Sequence, residues 1–367
     1  MRLVADAGVW TIGPSVPDAP AVAVLEVSGG VLAWTVDDPA GPAATRITVT
    51  DVAAADWLWR VVGPGGHAAI VAALPENGDI ELSDVDLLPQ ALAPLRRLAI
   101  GHWLRRWWPE SSRDGIVRLD HALLDGELAV LVAAADEFFT EDTLDSDVEG
   151  LLSPHQAALL ALERAGDPRI GEIVRACLEL ADDLGVWDAA VAPALQERRD
   201  DYALAAGRDG ARRPGAIASG VGSVDWVGVP PGIFDAADQT VEWSVESVDS
   251  SVLAVVRVAT TGERPATGIE VRLRSGAITA AGVLDGNGTA ALPILRGDGG
   301  AGGSPLTETQ AWDHDWSTTS VNVGAVDSND PAAQAIRQRV RDFARRRLAS
   351  PSPDAFLAEI IAAEADY

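Results

Sequence analysis

The residues best suited to chemistry stand in the pentapeptide WDHDW, Trp312 to Trp316. Asp313, His314 and Asp315 offer two carboxylates around an imidazole. Together such groups can hold a divalent cation and activate water for hydrolysis. In a regular strand, alternation sends His314 to one face and both aspartates to the other. Only a loop lets the three converge. A metal also needs ligands from elsewhere, and the chain has no HxH, HExxH or HxxxH spacing among its five histidines. The pattern therefore predicts a polar loop anchored by tryptophan and no bound cofactor. A metal-dependent hydrolase built on Asp313, His314 and Asp315 is the enzymatic alternative.

Other nucleophiles are scarce. All 28 basic residues are arginine, which excludes a lysine Schiff base and a phosphate-loop lysine. Cys177 is the single cysteine, so neither an intrachain disulfide nor a thiolate zinc cluster can form. It falls on one helical face with Ile170, Val174 and Leu178, which predicts a buried thiol. No G-x-S-x-G elbow has the preceding strand that it requires. The acidic run Glu141, Asp142, Asp145, Asp147 and Glu149 lacks the glycine and closing glutamate of a calcium loop, and reads as an inter-helix turn with caps.

Arginine and tryptophan gather in RLAIGHWLRRWWPESSRDG, Arg97 to Gly115. Leu95, Ala99, Trp103 and Trp107 form one i, i+4 row, and Ile100, Leu104 and Trp108 form the next. So wide an apolar arc predicts a helix packed from several sides. Arg97 and Arg105 point away from the rows, towards acids of the following helix such as Asp120, Asp125 or Glu127. Trp103, Arg105, Arg106, Trp107 and Trp108 are also the types that dominate interface centres, and mark the candidate interaction patch. A second basic run, Arg337, Arg339, Arg341, Arg345, Arg346 and Arg347, could dock nucleic acid or an acidic partner. The formal net charge of -27 repels phosphate, so nucleic acid is the lesser alternative and a protein counter-charge is expected.

The elements around these residues predict an α+β fold. Residues 1–82 read as an N-terminal β element with a short helix after Asp51. Residues 83–206 read as a helical bundle, with Ser153 as a cap, a helix that begins after Asp167, and Gly185 as its stop. The stretch 207–223 lacks apolar periodicity and reads as an exposed linker. Its Arg208, Arg212 and Arg213 would be open to a protease. Residues 224–328 read as a β-sandwich of short strands, with a hairpin at Asp285–Gly288. Residues 329–367 read as C-terminal helices. No basic start with an apolar run opens the chain, and no apolar stretch is long enough to span a bilayer, so a cytoplasmic location and no membrane contact are expected.

Two resemblances add to this. PLRRLAIGHWLRRWWP with LDHALLDGELAVL, together with SVDWVGVPPGIFDAADQTVEWSV, resembles an uncharacterised actinobacterial family encoded near caspase-like CHAT proteases and sigma factors. That resemblance implies a role in signalling or defence, with a CHAT-type protease or a sigma factor as partner. It carries no catalytic residue. The stretch from TGIEVRL to VLDGNGTAALPI resembles an immunoglobulin-like or carboxypeptidase-regulatory-like sandwich, carried by Leu284, Asp285, Gly288 and Ala290. The expected function is a non-enzymatic interaction component, adaptor or protease-regulated.

Overall fold

Alternating valine-rich runs and long 3.6-residue patterns build separate parts of an α+β fold. The computed structural model describes all residues except 7–8, 74–78, 84, 137, 140–146, 188–214, 250, 263, 298–302, 326–330 and 366–367. The chain forms two units. The first comprises Met1–Trp108, Leu119–Arg198 and Arg339–Tyr367, and the second comprises Pro109–Arg118 and Arg199–Gln338.

In the first unit, β1 (Arg2–Asp6), β2 (Val9–Ile12), β3 (Val22–Val27), β4 (Gly30–Thr35) and β5 (Arg46–Val49) precede α1 (Leu58–Ala73) and β6 (Ile80–Glu81). The six strands form one antiparallel sheet in the order β3-β4-β5-β2-β1-β6. Gly29 turns the β3–β4 hairpin at φ 71°, where a Cβ would run into the backbone of Ala54 and Ala55. Asp51 does not cap a helix as expected. It instead accepts from the Ala53 amide in a turn, and α1 starts at Leu58 with a break at Gly63 and Pro64.

The helices follow: α2 (Pro89–Trp107), α3 (His121–Asp136), α4 (Val148–Leu152), α5 (Gln156–Glu163) and α6 (Pro168–Leu184). α6 begins after Asp167 and ends at left-handed Gly185, as the sequence predicts, and Asp167 caps it through the Arg169 amide. Ser153 is not a cap. It opens a short 3-10 turn, Ser153–His155, between α4 and α5. The predicted helix over 186–206 lies outside the described residues.

In the second unit, β7 (Ala216–Gly222), β8 (Val241–Val248), β9 (Ser251–Val258), β10 (Glu270–Ser275), β11 (Ile278–Val283), β12 (Thr289–Arg296), β13 (Ser304–Pro305), α7 (Glu308–Asp313) and β14 (Ser320–Val323) follow in turn. The strands expected as a sandwich join in one continuous, barrel-like antiparallel sheet, in the order β14-β10-β11-β12-β9-β8-β7. Its inward residues, among them Val245, Val256, Val271, Leu273 and Leu292, form a single apolar core. The hairpin at Asp285 is as expected: its carboxylate accepts from the amides of Asn287 and Thr289 at 2.9 and 2.8 Å. Residues 216–222, expected as linker, are β7. Its small residues hide the strand pattern, and eight-residue β8 supplies the pairing partner. Asp235, buried, binds the Ser111 hydroxyl at 2.6 Å and the Ser112 amide at 3.1 Å, and so ties 109–118 into this unit.

The chain ends with α8 (Pro331–Ala349) and α9 (Leu357–Ala365). Among the described residues no helix is long and apolar enough to cross a membrane.

Candidate functional site

The WDHDW pentapeptide is built from two short capped turns. Thr307 and Gln310 form a capping box that starts α7, and fully buried Ala311 anchors it. Trp312 and Asp313 close the helix on its exposed side. Asp315 then caps the 3-10 turn Trp316–Thr318 through the Ser317 amide at 2.9 Å. That amide bond is the main reason its carboxyl is held below the usual carboxylate range. Trp316 is half-buried, and its indole N–H donates to the Ala311 carbonyl at 2.8 Å.

His314 lies between these turns, edge-on to Trp316, with Nε2 2.9 Å from the Ser275 hydroxyl oxygen. The pair resembles a catalytic dyad only in distance. The Thr319 hydroxyl is 2.8 Å from the Trp316 carbonyl oxygen and 3.0 Å from Ser275 Oγ. The same carbonyl also accepts from the Thr319 amide at 3.2 Å. Ser275 Oγ thus lies within hydrogen-bond distance of both Thr319 Oγ1 and His314 Nε2. Ser275 is also fully buried at the end of β10 and out of reach of a substrate. Nothing in the sequence pointed to Ser275, because its partner is 39 residues away.

Asp313, His314 and Asp315 thus do not converge. Among the described residues no group of three histidine, cysteine or acidic side chains is placed to hold a metal. What the segment does form is a cleft. Trp312, His314, Asp315, Trp316 and Ser317 line one side, and Ile217, Ala218 and Ser219 of β7 line the other, around a volume of about 500 Å³. Trp312 is 57% exposed, among the most exposed of the large apolar side chains described. Val221 and Val227, in and just after β7, are also exposed.

The tryptophan–arginine segment divides differently from the expectation. Trp103 is 2% exposed, donates to the Pro20 carbonyl at 2.6 Å, and meets Phe343 edge-on. It is a core residue and cannot belong to an interaction patch. It lies about one turn before the end of α2, a helix that packs against both β3 and α3. Arg105 pairs with buried Asp125 at 2.6 Å, and Arg97 pairs with Glu127, both as predicted. Burial pushes the Glu127 carboxyl up, opposed by the Leu357 amide and by Arg97. Asp125 also meets His155 Nε2 at 3.0 Å. Arg106 stacks over the Trp107 ring at 4.0 Å, and Trp107 and Trp108 are half-buried.

The basic helix α8 turns three guanidinium groups inward: Arg337, Arg341 and Arg347 are buried. Arg347 makes a two-pronged pair with fully buried Glu359 at 2.5 and 2.6 Å. Asp354 receives both Arg347 at 3.2 Å and Arg96 at 2.7 Å. Arg339, exposed, forks onto Asp37. Much of the positive charge that suggested a nucleic-acid surface is spent inside the protein. Arg208, Arg212 and Arg213 lie outside the described residues.

Cys177 is fully buried against the Gly126 carbonyl. Burial, with the Glu127 charge adding, pushes its thiol up to about 12. Native protein at pH 8 therefore leaves a disulfide-exchange reagent such as DTNB unreacted, while denatured protein releases one equivalent of thiol. Rapid native labelling would contradict this burial.

Compared with known proteins, the chain matches no family model, no curated protein and no solved structure.

Proposed function

We propose that this chain is a non-enzymatic interaction component of a bacterial signalling or defence system, and that the sheet unit is its docking part. One observation carries the reading: the exposed cleft beside β7, where Trp312 and Asp315 face open space. Exposed tryptophan with polar neighbours is the composition of interface centres. The reading also fits the fate of the groups that could do chemistry. Cys177 is inert, Ser275 is sealed, and Asp125, Glu127 and Glu359 serve as buried counter-charges.

The actinobacterial resemblance supplies the partner class, a CHAT-type protease or a sigma factor. In the protease case, Arg208, Arg212 and Arg213 are the proposed cutting positions. The experiment is size-exclusion chromatography with native mass spectrometry on the full chain, mixed with each purified product of its flanking genes. The reading predicts a stoichiometric complex with one of them, or a single cut at 208–213 read by intact mass. Separate elution of every product, with the chain intact, would overturn it.

A further inference from the structure

We propose that the cleft beside β7 takes an extended peptide segment of a protein partner, which pairs along β7 and lays one arginine or lysine side chain against Trp312. The proposal rests on the interaction reading above and names its ligand chemistry.

The first ground is the strand. β7 ends the sheet, and among the described residues no strand pairs with its outer edge. A sheet edge presents backbone donors and acceptors at a spacing that another extended chain matches. The accessible stretch of β7 starts at Ser219, which with buried Ala218 forms a wall of the cleft itself, so a segment added there runs directly past the tryptophans.

The second ground is the ring pair. Trp312 is 57% exposed, and tryptophan is enriched at interface centres. Trp316 is fixed by its bond to Ala311 and by the edge of His314. Trp316 held in this way gives the cleft a fixed wall, exposed Trp312 leaves its ring open to a ligand, and tryptophan is the strongest aromatic partner for a cation.

The third ground is charge. Asp315 lines the cleft, and the Ser317 amide keeps its carboxylate ionised. No arginine is among the lining residues, and the chain as a whole is strongly acidic. A guanidinium can stack on an indole while its N–H groups meet a carboxylate, and an ammonium can do the same as a point charge. A basic strand from a partner therefore satisfies the edge, the ring and the carboxylate together.

The test is calorimetric titration of the full chain with a capped heptapeptide of alternating threonine and valine around a central arginine. Its controls are the same peptide with citrulline at the centre, and one with alternate amides N-methylated. The arginine peptide binds, and citrulline, Trp312→Ala and Asp315→Asn each weaken it by about five-fold or more. N-methylation abolishes binding. Asparagine still caps the Trp316–Thr318 turn, so Asp315→Asn removes charge and leaves the turn. Equal binding of citrulline and arginine peptides, wild-type affinity in both variants, or no binding at millimolar peptide would each overturn the proposal. So would self-association of the chain that Trp312→Ala abolishes, since the occupant is then a second copy. A flanking-gene complex that survives both variants retains the interaction reading and removes the cleft assignment. Specific peptide binding without any such complex does the reverse.

Discussion

Glu359→Ala lowers the unfolding free energy of the first unit by about 3–5 kcal/mol, the cost of leaving a buried charge without its partner. Glu359 is 0% exposed and Arg347 is 5% exposed. Both guanidinium prongs rest on this carboxylate, which also accepts from the Phe356 amide at 2.9 Å. The alanine variant strands Arg347 with Asp354, 3.2 Å away and already shared with Arg96. It also removes the acceptor for a buried amide. Urea unfolding followed by circular dichroism measures the loss. Arg347→Met combined with Glu359→Leu costs less than Glu359→Ala alone, because similar-sized apolar residues remove both charges at once. A single variant within about 1 kcal/mol of wild type would mean that the pair is solvated.

Trp103→Ala costs about 3–5 kcal/mol, the usual range for emptying a core site of its largest ring. Trp103 lies between the segment before β3, through Pro20, and Phe343 of α8. The variant removes the edge-to-face contact and deprives the Pro20 carbonyl of its donor. Trp103→Phe restores part of the packing and loses the hydrogen bond, so it falls between. Trp107→Ala costs clearly less, because that ring is half-exposed and its stacking partner Arg106 is shared with solvent. Equal losses at 103 and 107 would contradict the placement of α2. Gly101 provides an independent check: a Cβ there would come within 2.5 Å of Phe356 and 2.6 Å of Leu128, so Gly101→Val is destabilising although Gly101 has no left-handed backbone.

What could be read from the sequence were the local signals. The helix start after Asp167, the Gly185 stop and the Asp285 hairpin each depend on a few neighbouring residues, and each stands where the pattern put it. The pairing of Arg97 and Arg105 with Glu127 and Asp125 followed from helix phase between consecutive helices. Non-local pairing was not legible. The basic run from Arg337 to Arg347 was expected to meet a protein counter-charge, but no local pattern names Glu359 as the acid that Arg347 meets. The inward turn depends on acids from α9 and the segment before it. β7 was missed because AIASGVG has few of the large apolar residues that mark strands. The cleft was half legible: the pentapeptide stood out by its residue types, but its opposite wall lies about a hundred residues earlier in that same unmarked strand.

Hydrogen–deuterium exchange on the full chain, alone and mixed with each flanking-gene product, tests the central claim most directly. One product slows exchange at Ala216–Gly222 and at 312–317, the two walls of the cleft, and leaves Trp107 and Trp108 unchanged. No slowing with any product, or slowing confined to the Trp107–Trp108 region, would contradict the assignment of the sheet unit as the docking part.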